Sequence, residues 1–152
     1  MRTLLVAAPL VAGELVIDGD EAHHGRTVLR LVDGDALRLA DGAGRAGMAV
    51  VTRVERHRLV VRVTQVEPLE DDPSALLTLA VAPPKGDRFS DLVRGLTELG
   101  VGTILPLACE RGEHIPALDR ATRVAAEALK QCRRARLPTL GPVVEISTLA
   151  AQ

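Results

Sequence analysis

The chain has 152 residues, 47% of them hydrophobic, which is enough for one ordinary domain or two small ones with a buried core. Its formal net charge of -1 at pH 7 argues against a wholesale electrostatic binder of nucleic acid, so any such binding must rest on local basic patches. Phe89 is the only aromatic residue, so gripping single-stranded RNA by stacking bases on aromatic rings is largely excluded.

The cysteines and the N-terminus indicate the cellular compartment of the protein. Cys109 and Cys132 have no C-x-x-C spacing, and His114 is the only histidine near either, so no metal site and no disulfide framework are predicted. Both cysteines are interpreted as small buried apolar residues in a reducing compartment. The apolar N-terminal run is short and broken by Pro9, and no stretch is long enough to span a bilayer. We therefore expect a cytoplasmic protein without a membrane partner.

The first part of the chain, to about residue 69, places apolar residues mostly at every second position. Five segments suit β-strands, with small turn residues between them. These predicted strands are Gly13–Asp18, Arg26–Val32, Ala36–Ala40, Met48–Val54 and Arg58–Val66. A single helical turn is expected at residues 21–26. Five or six short strands without a convincing helix predict a small closed or nearly closed β-barrel.

A change of composition then marks a linker. Residues 67–74, EPLEDDPS, hold four acids and two prolines without apolar periodicity. Segments of this kind favour a domain boundary, which we place near Asp72. The predicted domains are residues 1–72 and 73–152.

A β-α-β unit follows the linker. The short apolar runs Leu76–Val81 and Thr103–Leu107 have the composition of strands covered on both faces. Between them lies an amphipathic helix for which Asp87 is the predicted N-cap and Gly100 the αL residue at the end. Two strands joined by a helix predict a parallel sheet, so the fold class is mixed, α+β and α/β.

The last third contains a second amphipathic helix. It is predicted from about Ala117 to Ala135, after a loop from Cys109 to Pro116, and Pro138 is expected to end it. Val143–Ile146 is predicted to form one more strand.

Several motifs in this order resemble the RsmE family of ribosomal RNA methyltransferases. They are HHGRTVLR at 23–30, KGDR at 85–88, TELGV at 97–101, ILPL at 104–107 and EALKQCRRARLP at 127–138. The resemblance implies an N-terminal PUA-like β-barrel that binds RNA, followed by a SPOUT domain, an α/β fold with a trefoil knot. It also implies methylation of uridine N3 in small-subunit ribosomal RNA with S-adenosylmethionine, by a homodimer.

The chain departs from the family pattern in three places, one of which is Arg111–Gly112, where the family usually has Arg-Ser. The G-P-E-G-G segment of the family's knot is missing, since the only Gly-Pro pair, Gly141–Pro142, precedes two valines. The cofactor site is therefore expected in a C-terminal segment absent from this chain, and the chain alone is expected to be inactive. Gly95 stands mid-helix where the family commonly has Lys, at a cost of about 1 kcal/mol relative to Ala.

Two other functions remain open at this point. One is a non-catalytic RNA-binding or assembly remnant that lacks the cofactor-binding knot. The other, weaker reading is a small α/β enzyme of unrelated chemistry that uses Lys85 and Glu98.

The resemblance also supplies candidate site residues. Those for RNA binding are Arg2, His23, Arg26, Arg30, Lys85, Arg88, Gln131 and Arg134. Arginine suits this role because its planar guanidinium binds phosphate bidentately. The alternatives are that Arg26 and Arg30 are ordinary surface or salt-bridged residues and that His23 is a capping or packed histidine. Lys85 and Arg88, beside the positive end of the helix, could equally hold the dimer partner.

The catalytic residue is not identified by the sequence. Glu98 and Arg134 are the candidates, and a buried ion pair of Glu98 is the simpler account of that residue. Glu127, Gln131 and Arg134 match the family's E-A-x-x-Q-x-x-R pattern, and their spacing puts them on one flank of the second helix. A solvated face with Arg123 paired to Glu127 is the alternative.

Overall fold

A computed structural model describes residues 1–7, 9–68, 72–108 and 117–149. The chain divides into two compact units. The first unit comprises Met1–Asp71 together with a short segment, Arg133–Arg136, which we call the return segment. The second unit comprises Asp72–Cys132 and Leu137–Gln152.

The first unit is built on a five-stranded sheet. Its strands are β1 (Thr3–Leu5), β2 (Gly13–Ile17), β3 (Ala36–Ala40), β4 (Ala46–Val54) and β5 (Leu59–Val66), in the order β1-β3-β4-β5-β2. β1 pairs with β3 in parallel, and the other neighbours are antiparallel. Alternate residues such as Leu37, Leu39, Leu59 and Val61 are fully buried in one core. The four strands predicted outside Arg26–Val32 are thus confirmed, since strand alternation records which side chains face the core.

The strand predicted at Arg26–Val32 is wrong. A nine-residue helix, α1 (Gly19–Thr27), occupies its start, and it is much longer than the single turn expected there. The alternation of apolar residues does follow burial, because Leu31 is buried and Leu29 packs against the core, but no strand within the described residues pairs with this segment. Its amides bond to the end of α1 instead: Leu29 N–H to the His24 carbonyl and Leu31 N–H to the Gly25 carbonyl.

Glycine lets α1 approach the core closely. Gly25 is buried, and a Cβ added there would lie 2.7 Å from Leu59 Cδ1 and 3.1 Å from Leu31 Cδ1. Glu21 on the same helix accepts a hydrogen bond of 3.0 Å from the Leu5 amide of β1. The helix is therefore attached to the sheet by packing and by a carboxylate that satisfies a strand-edge donor.

The second unit contains the expected parallel sheet. Its strands are β6 (Thr78–Val81), β7 (Thr103–Ala108), β8 (Thr139–Leu140) and β9 (Val144–Glu145). β7 pairs in parallel with each of the other three, and Thr78 of β6 lies opposite Thr103 of β7. β6 begins two residues later than predicted, because Asp72 accepts a bond from the Ser74 amide and starts a 3-10 turn at Pro73–Leu76.

The helix between β6 and β7, α2 (Arg88–Leu99), carries the predicted apolar stripe. Phe89 and Val93 are buried in the core of the second unit with Ile104 of β7. Gly100 ends the helix with φ of 85°, as predicted, because that left-handed conformation costs glycine little. Asp87 stands at the N-cap position, but its side chain makes no cap hydrogen bond.

The second long helix, α3 (Leu118–Cys132), is shorter than predicted. It ends three residues before Ala135, because Arg133 adopts a positive φ of 61° and the return segment joins the first unit. Pro138 is therefore not the residue that ends it. Cys132 is half-buried rather than buried, and its thiol lies 3.6 Å from the Leu129 carbonyl. The loop expected at Cys109–Pro116 lies outside the described residues.

The C-terminal strand is also shorter than predicted. It covers Val144–Glu145 only, because a short helix, α4 (Ile146–Leu149), begins at Ile146. Among the helices that the structure describes, none combines the length and apolar character needed to cross a bilayer.

Replacing Gly95 by alanine should stabilise the protein. A Cβ at Gly95 meets nothing within 4 Å, so Gly95→Ala should add about 1 kcal/mol to the free energy of unfolding by favouring the helical backbone. Urea denaturation followed by far-UV circular dichroism measures the change. Gly102→Ala is the control and should lower the free energy of unfolding, because its Cβ would lie 1.7 Å from the Ala75 carbonyl oxygen. An unchanged or lower stability for Gly95→Ala would contradict the prediction.

Candidate nucleic-acid interface

Arg2 is held by the first unit itself. Its guanidinium lies 2.9 Å from Asp35 Oδ1 and donates to the Leu29 carbonyl at 3.2 Å. The Val32 amide and then Arg2 hold the pKa of the Asp35 carboxyl below its usual range, so this partner is anionic at neutral pH. Arg2 therefore fixes the segment that precedes Arg30 while remaining partly exposed.

His23, Arg26 and Arg30 lie on or just after α1. His23 is exposed, so it is not a packed histidine, and its carbonyl accepts a bond from the Thr27 hydroxyl. Arg30 is exposed and has a positive φ of 51°. Arg26 turns the other way and donates to the Arg56 carbonyl in the turn between β4 and β5. The structure thus places Arg2 beside the Leu29–Arg30 segment, and Arg26 beside the β4–β5 turn.

The candidates at the start of α2 are open to solvent. Lys85 and Arg88 are exposed, and the Asp87 carboxylate between them lies 2.7 Å from Arg120 of α3. Asp87 therefore ties the first turns of α2 and α3 together, and the predicted cap role is replaced by an ion pair.

The flank predicted on α3 does not form. Gln131 is exposed on the helix, but Arg134 lies beyond its end in the return segment of the first unit. Glu127 pairs with Lys130 at 2.8 Å, where Arg123 had been the alternative partner. The spacing of these three residues places them on one flank only if the helix continues to Arg134, whereas it ends at Cys132.

The two catalytic candidates belong to different units. Glu98 is exposed on the last turn of α2, so the buried ion pair expected for it is wrong. Arg134 is half-buried in the first unit.

A buried arginine that the sequence analysis missed holds Arg134. Arg38 of β3 is 7% exposed, donates to the Arg134 carbonyl at 3.3 Å and forms an ion pair with Glu67 at 3.1 Å. The Gly44 amide of the β3–β4 turn adds a bond of 3.0 Å to the Ala135 carbonyl. The signal for Arg38 was present, as the one charged residue in the apolar strand ALRLA.

A second missed feature is a cleft of about 450 Å³ on the outer face of β2, β4 and β5, which we call the arginine groove. It is lined by Glu14, Val16, Thr52, Arg53, Glu55, Arg58, Val60 and Arg62. Its signal was the run TRVERHRLVVR at residues 52–62, which holds four arginines and one glutamate. The alternation of apolar residues marks the buried face of these strands, whereas the groove lies on their outer face.

Together these features define the class of protein. A five-stranded unit with arginines at its turns and outer face, followed by a parallel β-α-β unit, is a PUA-like β-barrel joined to the first part of a SPOUT-type α/β domain. The mixed α/β fold predicted from the sequence is therefore confirmed.

Comparisons with known proteins support the same class of protein. The family model described as RNA methyltransferase domain matches residues 71–152, and the RNA methyltransferase PUA domain model matches residues 17–64. The chain therefore belongs to the RsmE family of RNA methyltransferases.

Individual relatives support this placement. Ribosomal RNA small subunit methyltransferase E of Synechocystis is 32% identical, over 95% of this chain and 51% of its own length. A predicted RNA methyltransferase from Thermotoga maritima is 31% identical with a TM-score of 0.78, over 95% of this chain and 65% of that one. The Neisseria gonorrhoeae methyltransferase E bound to S-adenosyl methionine is 25% identical with a TM-score of 0.84, over 95% and 62%. The chain spans about half the length of the curated relatives it matches.

Removing the Arg38 guanidinium should loosen the return segment. Arg38→Met keeps much of the aliphatic volume but removes the bonds to Glu67 and Arg134, so the free energy of unfolding should fall by about 2 kcal/mol. The Gly44 amide, which donates to Ala135, should also exchange its hydrogen faster.

Arg94→Met is the matched control, because Arg94 forms an exposed ion pair with Asp91 that should be worth less than about 1 kcal/mol. Denaturant titration and amide hydrogen exchange measure both variants. Equal decreases in stability for Arg38→Met and Arg94→Met would contradict the role given to Arg38.

Proposed function

We propose that this chain is part of an S-adenosylmethionine-dependent methyltransferase that acts on N3 of a uridine in small-subunit ribosomal RNA. The observation that carries the proposal is the match of residues 71–152 to the RNA methyltransferase domain, directly after a PUA-like unit. The ribosomal substrate is proposed from the relatives, which are named ribosomal RNA small subunit methyltransferase E. Because the proposed substrate is ribosomal RNA, the proposed location of the protein is the cytoplasm.

We assign RNA binding to the first domain, residues 1–72. His23, Arg26 and Arg30 present polar groups around α1, and arginine forks can hold phosphates in register without reading sequence. Arg2 contributes mainly by fixing the Leu29–Arg30 segment. In this arrangement the barrel positions the RNA, and selection of the uridine rests on other contacts.

The second domain, residues 73–152, is proposed to hold the reacting groups. Lys85, Arg88 and Gln131 are exposed polar side chains of this domain that can contact RNA. When bound, S-adenosylmethionine supplies an electrophilic methyl group. Uridine N3 must lose its proton as it takes that methyl group, so a proton acceptor is needed. Glu98 is the carboxylate candidate for it, and Arg134 is the candidate for holding the substrate.

The strand-end residues of the second unit do not fit the cofactor itself. Small-molecule sites bury most of the ligand in a cleft, whereas the strand-end residues Lys85, Gly86, Asp87 and Arg88 are all exposed. We therefore propose that the cofactor is held by the knot segment that the family pattern includes and this chain lacks.

The first test is calorimetric titration of S-adenosylmethionine into the purified 152-residue chain. We expect no binding at micromolar concentrations and no methyl transfer to small ribosomal subunits, because the proposed cofactor segment is absent. Micromolar binding would refute the proposed location of the cofactor site.

A chimera tests the activity itself. Residues 1–142 of this chain are joined to the C-terminal remainder of the Thermotoga relative, and small-subunit RNA is analysed for N3-methyluridine by mass spectrometry. A folded chimera that binds the cofactor should form the product, and Glu98→Gln in it should lower the rate. A chimera that binds cofactor but leaves the RNA unmodified would refute the substrate and favour a non-catalytic RNA-binding role for this chain.

We also propose a homodimer formed through the second unit. Leu76 and Leu99 are 87% and 67% exposed, and the hydrogen bond from the Ser74 hydroxyl to the Gly100 carbonyl brings their segments together. Exposed apolar patches commonly mark interaction surfaces.

Sedimentation velocity over a range of concentrations tests the dimer. The chain should sediment as a dimer, and Leu76→Ser with Leu99→Ser should shift it to the monomer, because the two apolar side chains are replaced by polar ones. Val28→Ser, at an exposed apolar residue of the first unit, is the control and should leave the dimer intact. A monomer at all concentrations would refute the proposal.

A further inference from the structure

We infer that the arginine groove is a second phosphate-binding surface for RNA, and that Glu55 weakens this binding by holding two of its arginines. This inference rests on the proposed function for the identity of the ligand as RNA. It adds a surface that is distinct from the candidate residues on and after α1.

A β-bulge builds the groove. Val51 of β4 pairs with Val61 of β5, but the next pair is Arg53 with Val60, so Thr52 is an extra residue. In a register without the bulge, Thr52 would pair with Val60 and Arg53 would lie opposite Leu59, whose side chain is fully buried. The bulge therefore turns Arg53 to the outer face, and the Thr52 hydroxyl satisfies the Val60 carbonyl beside it at 3.0 Å.

The pairing of β2 with β5 supplies the rest of the groove. Val16 lies opposite Val60, and Glu14 lies opposite Arg62, all on the outer face. Val16 and Val60 thus form an apolar floor between charged side chains. Because the register places Arg53 beside Val60 and Arg62 two residues further along β5, both arginines border that floor.

Glu55 forms ion pairs with two arginines of the groove. One carboxylate oxygen accepts from Arg58 Nε at 2.7 Å, and the other lies 3.7 Å from Arg53 Nη1. Hydrogen bonding from Arg58, followed by the charges of Arg58 and Arg53, holds the pKa of Glu55 below its usual range. The carboxylate is therefore ionised at neutral pH and competes with any external anion.

The arginines nevertheless remain open to a ligand. The side chains of Arg53 and Arg58 are 71% and 55% exposed, and each guanidinium has five N–H donors, of which Glu55 uses a few. A phosphate oxygen can therefore share these donors. Ion pairs this exposed are worth little, so a phosphate can displace the carboxylate at small cost.

Charge and geometry favour the RNA backbone as the ligand. Residues 52–62 hold four arginines and one glutamate in a chain of net charge -1, so positive charge is concentrated here. The bond from Arg26 to the Arg56 carbonyl connects α1 to this same hairpin turn. Phosphates of one RNA strand can therefore run from α1 along the turn to the groove, without contacts that depend on base sequence.

The test compares the affinity of variants of the full chain for a single-stranded fragment of small-subunit ribosomal RNA, by fluorescence anisotropy at several salt concentrations. A triple variant, Arg53→Gln with Arg58→Gln and Arg62→Gln, should bind at least about tenfold more weakly. Its slope of log affinity against log salt should fall by about 0.7 for each phosphate that the variant no longer binds. Arg45→Gln, at an exposed arginine of the β3–β4 turn, is the matched control and should bind as the parent chain does.

Glu55→Gln should change the affinity for RNA in the opposite direction. It removes one negative charge and releases Arg53 and Arg58, so the affinity for RNA should rise by about threefold. A merely structural role for Glu55 would lower the affinity or leave it unchanged. If the triple variant does not fold, judged by circular dichroism, Glu55→Gln decides the question alone.

The outcomes separate the inference from the proposed function. If the parent chain binds RNA, but the triple variant and Glu55→Gln bind as tightly as it does while Arg26→Gln with Arg30→Gln weakens binding, the groove is not an RNA surface and the proposed function stands. If the parent chain binds no RNA at any salt concentration, both are refuted. Weaker binding by the triple variant together with tighter binding by Glu55→Gln supports the inference.

Discussion

The buried guanidinium of Arg38 is the constraint on which much of the first unit depends. A charge that is 7% exposed must be paired and hydrogen-bonded, and its partners are Glu67, just after β5, and the Arg134 carbonyl. These contacts attach the return segment to β3. They also explain why α3 ends at Cys132, since the chain has to leave the helical path for Arg134 to reach Arg38. A single side chain thus helps to decide where a helix ends and which unit Arg134 belongs to.

Arginine serves three different purposes in this chain. Arg38 is buried and structural, whereas Arg2 is half-exposed and fixes the segment beside Arg30. The arginines of the groove are exposed and lie around a carboxylate that an external phosphate can replace. A net charge near zero is therefore compatible with RNA binding, because residues 52–62 hold four arginines and one glutamate, an excess of positive charge on one hairpin.

The absence of aromatic side chains other than Phe89, which is buried, has a consequence for recognition. Stacking of bases on exposed Phe, Tyr or Trp rings is not available in this chain, so the proposed contacts are mainly to phosphates and carry little sequence information. The PUA-like unit would then orient the RNA. Selection of one uridine would fall to the part of the family's architecture that supplies the cofactor and the reacting groups.

The sequence by itself determined the local elements whose signal lies within a few residues. Alternation located four strands of the first unit, the 3.6-residue period located α2, and Gly100 marked its end, because burial and backbone conformation leave short-range patterns. The ordered motifs also determined the family, which the comparisons confirmed. Candidate site residues such as His23, Lys85 and Arg88 are exposed, but the sequence could not tell how they are arranged.

Only the tertiary structure decided the features that depend on a distant partner. Leu29 and Leu31 alternate as in a strand, yet in the part of the chain that the structure describes no strand pairs with them, and their amides bond to the end of α1. The bulge at Thr52, which turns Arg53 outward, exists only in the register between β4 and β5. The end of α3 depends on Arg38, which is 96 residues from Arg134 in the chain. Hydrogen-bond partners so far apart leave no periodic trace in the sequence, which is why the helix end and the groove had to be read from the fold.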